Sequence, residues 1–284
     1  MVNFNGDFFP ADAAIFSSGN RGLKFGDGLF ETVRYVNGTL FFWEDHYFRL
    51  MASMRILRME IPMDFTLEFL EDEIKKTVGE NKLINGAVRV RLTVFRKEGG
   101  LYRPKTNEIS YLIEVRELES PFYMLHNETY EVELFKDYYI NKDMLSNLKT
   151  TNKLTNVVAS VYAEENGYAN CLLINNDKSV VEAINGNIFL VSKGVIKTPP
   201  LSDGCLDGII RKKLLDVLSK SEDFQLKEES ISPFELQKAD EIFITNSVTG
   251  IQPISKYRKK EFGNAVAQNL LGKLNAIARI SQSN

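Results

Sequence analysis

Few groups in this chain could do chemistry. Lys149, in LSNLKTTNKL, offers a primary amine that could bond a carbonyl carbon or take up a proton. Arg49, in HYFRL, offers a guanidinium suited to anions, and Glu182, in VVEAINGNIF, a carboxylate. By residue type alone the first two read blandly, Lys149 as a solvated lysine at the start of a helix and Arg49 as a helix-surface cation. Glu182 resists that reading, because a carboxylate between Val181 and Ala183 in an apolar strand needs a cationic or hydrogen-bonding partner. There are two histidines, His46 and His126, and two cysteines, Cys171 and Cys205. They form neither a CxxC pair nor a Cys/His cluster, so no metal site and no disulfide framework is expected, and the setting reads as reducing and cytoplasmic.

The 284 residues amount to about two domains at roughly 150 residues each. With 44% hydrophobic and 26% charged residues, the composition excludes a disordered or collagenous chain. The 35 basic and 38 acidic side chains leave a formal charge of -3, with no basic block able to follow a phosphate backbone, so nucleic acid is not an expected partner. The N-terminal MVNFNGDFFPADAAIFSSGNRG lacks a secretory pattern, and no stretch approaches the ~18 apolar residues of a membrane span. Without export, the sequons at Asn37 and Asn127 carry no weight.

The elements that must position these groups follow from periodicity. Residues 29 to 36 and 39 to 43 flank Asn37-Gly38, a hairpin signal, and helices are expected over EDHYFRLMASMRIL and about 65 to 78. From Ala87 to Arg96 the sequence alternates, with Val88, Val90, Leu92 and Val94 on one face and Arg89, Arg91 and Thr93 on the other. A strand at 111 to 115 leads into the polar, proline-bearing RELESPFYMLHNET, read as a linker. Beyond it come a strand at 130 to 136 and a helix at about 152 to 166, with Leu154, Val157, Val158, Val161 and Tyr162 inward and Gly167 closing it. Strands are expected at 169 to 174, 179 to 184, 187 to 192 and 195 to 198, a helix at 208 to 219, a last strand at 240 to 245 and a helix at 263 to 279. The class is mixed α/β (α+β).

Six segments, taken in order, resemble the signature segments of the class IV aminotransferases, fold-type-IV enzymes that use pyridoxal 5'-phosphate (PLP). They are FGDGLFETVR at 25 to 34, HYFRL at 46 to 50, LKTTN at 148 to 152, VVEAINGNIF at 180 to 189, TPPLSDGCLDGIIR at 198 to 211 and ADEIFITNS at 239 to 247. The resemblance runs from about Phe25 to Pro253. It implies a two-domain enzyme with the cofactor in the interdomain cleft: an N-terminal domain over 1–118, a linker over 119–127, and a C-terminal domain over 128–284 carrying the Schiff-base lysine. By its place three residues before Asn152, Lys149 would be that lysine, while the neighbouring Lys153 lacks this spacing. Glu182 would keep the pyridine nitrogen protonated. The cofactor phosphate would fall to Arg49, to the backbone amides of Ile209 and Ile210, and to the Ser247 hydroxyl. Phe30 and Thr32 would contact substrate, and Arg91 would meet a substrate carboxylate.

Three departures bear on the reaction. The transaminase pattern GITR is here GIIR, with Ile210 in the threonine position; Leu154 replaces the branched-chain enzymes' tyrosine; Thr32 replaces their glycine. Thr32, Asn152 three residues after the lysine and the hydrophobic Ile210 in the GIxR slot resemble 4-amino-4-deoxychorismate lyase, which makes 4-aminobenzoate and pyruvate for folate synthesis. The segment Arg96-Lys97-Glu98-Gly99-Gly100-Leu101-Tyr102 keeps that enzyme's leading arginine and glycine pair but has Leu101 where an arginine belongs. The carboxylate trap of the D-amino-acid enzymes is not evident in GGLYRP. The expected activity is therefore the lyase. The alternative is an amino-acid transaminase, branched-chain type first and using 2-oxoglutarate, and a non-catalytic PLP-binding homologue comes after it. The resemblance also implies a homodimer whose partner loop closes the site.

Overall fold

The structure, a computed structural model, describes residues 1–125 and 128–280. His126 and the sequon at Asn127 lie outside the described residues. The chain divides into two compact units. The first comprises Met1–Pro121 together with Lys149–Asn152, and the second Phe122–Leu148 together with Lys153–Arg279.

In the first unit, β1 (Val2–Phe4), β2 (Asp7–Phe9), β3 (Gly28–Val36), β4 (Thr39–Leu40), β5 (Ala87–Arg96) and β6 (Ile109–Leu118) form one antiparallel sheet. Its order is β2-β1-β6-β5-β3-β4. The β3–β4 hairpin turns on Asn37 and Gly38, at φ 47° and 94°, as a two-residue connection requires. Asn5-Gly6 carries the same signal and turns β1 into β2, but three-residue strands are too short to show alternation, and the sequence reading passes over them. Val88, Val90, Leu92 and Val94 lie opposite Tyr35, Val33, Glu31 and Leu29. All eight are buried. Between the strands the chain forms α1 (Arg21–Phe25), α2 (Trp43–Ile56) and α3 (Leu67–Glu80). α2 packs on β3 and α3 on β6 and β1, with Leu50, Met54, Leu70, Ile74 and Val78 shielded from solvent. The opposite face carries Phe30, Thr32, Arg89, Arg91 and Thr93.

The second unit opens with β7 (Glu131–Ile140) and continues through α4 (Met144–Asn147), α5 (Leu154–Glu165), β8 (Asn170–Asn175), β9 (Val180–Ala183), β10 (Gly186–Ser192) and β11 (Val195–Thr198). It is completed by α6 (Ile209–Leu218), β12 (Gln225–Glu228), α7 (Pro233–Leu236), β13 (Glu241–Asn246), β14 (Gly250–Ile254), β15 (Lys256–Tyr257), β16 (Lys260–Glu261) and α8 (Ala265–Ile280). The sheet runs β12-β11-β10-β9-β8-β7-β15-β16, with β13 paired to β10 and β14 to β13. One face buries Val132, Leu172, Ile188 and Ile244, and the other Phe135, Cys171, Leu173 and Val181. The strand expected to be last is thus followed by three more.

One reading is corrected. The inward stripe of α5 is not the five-residue set: Leu154 is 70% exposed, Val157 54% and Val161 47%. Ala159 and Ala163 are buried instead, with Val158 and Tyr162 packed beside them. α5 is apolar around most of its circumference, so its periodicity allows two faces, and the alanine pair lets the helix come close to the sheet. Lys149–Asn152 follow the linker in chain order. These residues fold with the first unit, because they pair with the edge of β3.

Candidate active site

Residues 149 to 151 run antiparallel beside the start of β3. The Phe30 amide donates to the Lys149 carbonyl (2.9 Å) and the Thr151 amide to the Gly28 carbonyl (2.9 Å), with Leu29 opposite Thr150. The Thr151 hydroxyl donates to the carbonyls of Gly26 and Gly28. Directly opposed residues in such a ladder leave the sheet on the same face, so Lys149 stands beside Phe30. On the other flank, β5 places Thr93 opposite Phe30 and Arg91 opposite Thr32 on that same face. The outcome is that Lys149 Nζ lies 4.4 Å and Arg91 Cζ 3.9 Å from the centroid of the Phe30 ring. One aromatic ring attracts both cations through its quadrupole. Arg91 also donates from Nε to Thr93 Oγ1 (3.3 Å), and burial moves its pKa downward against the pull of Glu114.

The other face of β3 presents Glu31 to the core beneath α2, where it is 1% exposed. Arg49 donates to it from Nε (2.8 Å) and Nη2, and His46 Nδ1 lies 2.6 Å from Oε2. A carboxylate only accepts, so Nδ1 carries the hydrogen. Burial alone would raise the Glu31 pKa, but Arg49 and His46 outweigh it and hold it at about 2. Burial lowers that of His46, and Arg49 and Lys149 add to the lowering against Glu31. The trio is therefore an ionised carboxylate between a guanidinium and a neutral imidazole. Its geometry leaves Arg49 fixed on its carboxylate side, the side chain being 10% exposed.

In the second unit Glu182 is buried on β9, and its Oε2 accepts the Leu206 amide (2.9 Å). α6 begins after Gly208, whose place at the N-cap supplies no side-chain bond. The first helical amides, those of Ile209 and Ile210, therefore lack an intrahelical acceptor and form a site for negative charge. The Ile209 and Ile210 side chains are buried and anchor this turn. α6 packs on β13, and Ser247 follows β13 in a turn where Asn246 Oδ1 accepts the amides of Val248 and Thr249. The Tyr123 hydroxyl donates to the Ser247 carbonyl (3.2 Å), while Asn275 bonds both backbone groups of Tyr123.

The model of the amino-transferase class IV family matches residues 28–257. The chain belongs to this family. Among class IV relatives, a putative branched-chain-amino-acid aminotransferase of Methanocaldococcus jannaschii is 28% identical over 96% of this chain and 93% of its own length. A D-alanine aminotransferase of Staphylococcus epidermidis is 26% identical over 90% and 88%. The crystal structure of a branched-chain aminotransferase from Thermoproteus uzoniensis with norvaline superposes with a TM-score of 0.86, at 27% identity, over 98% of this chain and 94% of that one.

Within this class IV chain, the structure brings Lys149, Phe30, Thr32 and Arg91 onto one face of a sheet and sets Arg49 against Glu31. It places Glu182, Ile209, Ile210 and Ser247 in the second unit. Lys153 stands at the N-cap of α5 in that unit. Glu31 is the group that sequence reasoning missed. The signal was present, since strand alternation puts Glu31 on the apolar side between Leu29 and Val33, and a lone carboxylate there needs partners just as Glu182 does. The 97 to 105 loop is also held in an unforeseen way. Arg21 donates to the carbonyls of Gly99, Leu101 and Tyr102, and Asp27 joins Arg21 to Arg96. Gly99 and Gly100 sit at φ 110° and 78°, which explains the glycine pair, and Leu101 is 79% exposed.

Proposed function

We propose that the protein is a PLP-dependent enzyme acting on a small amino substrate that bears a carboxylate, with amino-group transfer as its reaction. The observation that carries this reading is the shared Phe30 ring: it holds an amine able to exchange with a substrate amine and a guanidinium able to take a substrate carboxylate. Class IV relatives that align along nine-tenths of the chain are aminotransferases by name, which favours transfer.

The residues fit the cofactor. A phosphate dianion suits Arg49, held by Glu31, and the uncapped amides of Ile209 and Ile210, with the Ser247 hydroxyl beside them in role. A pyridine nitrogen suits the buried Glu182 carboxylate, and an aldehyde suits the Lys149 amine. When bound, PLP supplies an electron sink that acidifies the substrate Cα–H. Lys149 takes that proton and returns it. Arg91 orients the carboxylate, and Phe30 keeps the two cations in register. A homodimer in the cytoplasm belongs to the same reading.

The second reading is 4-amino-4-deoxychorismate lyase, favoured by the buried Ile210 and by Thr32, which lies opposite Arg91. Leu101, exposed where that enzyme's pattern has an arginine, counts against it. The purified holoenzyme separates the two. Glutamate formed from 2-oxoglutarate and a branched-chain amino acid establishes the transaminase, and 4-aminobenzoate released from aminodeoxychorismate establishes the lyase. PLP binding with neither product would identify a binding homologue.

Arg91 gives a sharper test of substrate class. Arg91→Leu is expected to lower kcat/KM for carboxylated substrates by the ~2 to 4 kcal/mol of a lost charge pair, roughly 30- to 1000-fold. The absorbance of bound cofactor should not change. Unaltered kcat/KM would leave Arg91 as a half-exposed strand residue paired with Glu114.

A further inference from the structure

Glu182 and Asn187 are cross-strand partners in β9 and β10, and both grip Leu206. Glu182 Oε2 accepts the Leu206 amide (2.9 Å), and Asn187 Nδ2 donates to the Leu206 carbonyl (2.7 Å). The same carbonyl accepts the Gly208 amide (2.9 Å). Both clamp side chains are buried, Asn187 at 3% and Glu182 at 7% exposure, so neither bond is shared with bulk water. Gly208 comes so close that a Cβ added to it would collide with Asn187 Oδ1. Asn187 is itself fixed on its other flank, where β13 places Thr245 opposite it.

We infer that Asn187 is a positioning residue: it sets the place of the Leu206–Gly208 turn, and with it the amides of Ile209 and Ile210, relative to the Glu182 carboxylate. The inference rests on the PLP reading given above. The physical reason is that a rigid ring with a short phosphate arm confines the separation between ring nitrogen and phosphate to a narrow range, so the groups that meet the two ends need a matching separation. Asn147 ties the flanks of the turn, donating from Nδ2 to the Cys205 carbonyl (2.6 Å) and accepting the Asp207 amide on its own carbonyl (3.2 Å), but the Leu206 carbonyl at its centre is oriented by Asn187. That bond comes from the strand next to the one bearing Glu182. Asparagine suits the place because it turns a donor toward a carbonyl while its oxygen lies against a residue with no side chain. Aspartate would turn an acceptor toward the Leu206 carbonyl and repel it.

The test uses the full-length protein freed of cofactor and has two readouts. The first is a double-mutant cycle on the melting temperature, in which Gly208→Ala should be destabilising beside Asn187 and nearly neutral in the Asn187→Ala background, where the methyl has room. The second is cofactor affinity. Asn187→Asp and Asn187→Ala should each weaken PLP binding by about tenfold or more, and binding of pyridoxal, which lacks the phosphate, by less than about threefold. Additive Gly208 and Asn187 effects would overturn the clamp. PLP affinity equal to the parent's, or equal losses for PLP and pyridoxal, would overturn the positioning role and leave Asn187 a structural residue. A parent protein that binds no PLP overturns the functional reading itself, and the cycle still reports on the clamp, so the two failures are distinguishable.

Discussion

Lys149→Ala is expected to yield a folded protein whose turnover falls by at least about 10³-fold, since it removes both the amine that bonds the cofactor and the base that moves the Cα proton. The fold should survive because the tie between residues 149 to 151 and β3 runs through backbone groups and the Thr151 hydroxyl, none of which the substitution touches. Borohydride reduction of the parent holoenzyme should fix the cofactor on Lys149. Peptide mapping that located it on Lys153, or activity retained in Lys149→Ala, would sink the assignment.

Replacing Glu31 should have the largest effect on stability. Glu31→Gln removes the charge that two nitrogens of Arg49 and Nδ1 of His46 bind, and breaking such a buried ion pair from one side typically costs about 3 to 5 kcal/mol. Denaturant unfolding should show the loss, and PLP titration should show a weaker grip on phosphate through the loosened Arg49. A parent-like denaturation midpoint would mean that Arg49 does not depend on Glu31. The pH dependence has a definite sign. A carboxyl with a folded pKa of about 2, against 4.5 as the ordinary value, stabilises the fold fully above 4.5 and loses that contribution as pH falls through about 2. His46, also lowered from its ordinary 6.5, favours the fold while neutral and gives up its share as pH drops below 6.5. Acid destabilisation of the parent should therefore begin with His46 and deepen with Glu31, and the gap between parent and Glu31→Gln should narrow below pH 4.5.

Much of this was legible from single segments. The alternation over Ala87 to Arg96 reproduces β5 residue for residue, because one face lies on the core and the other does not. Asn37-Gly38 marks its hairpin because both turn residues need positive φ. α5 was misread for a reason equally local: when most of a helix surface is apolar, the face that packs is chosen by the size of the side chains and the shape of the sheet, not by hydrophobicity. The strands β14 to β16 escaped notice because they are short and because β14 opens on Gly250, at positive φ and with no room for a Cβ beside the ring of Tyr123, a residue more than a hundred positions away.

The chemistry divides along the same line. The sequence by itself determined the kinds of groups, Lys149, Arg49, Glu182 and Arg91, and their membership in one ordered family pattern, because residue type and spacing along the chain are properties of the chain. Only the tertiary structure decided that Phe30 carries both Lys149 and Arg91, that Glu31 fixes Arg49, and that Glu182 and Asn187 hold Leu206 together. Each of these depends on strand register or on a helix laid over a sheet, which brings together residues up to 119 positions apart, as Phe30 and Lys149 are. Register is set by the summed burial of whole strand faces. No local pattern encodes it.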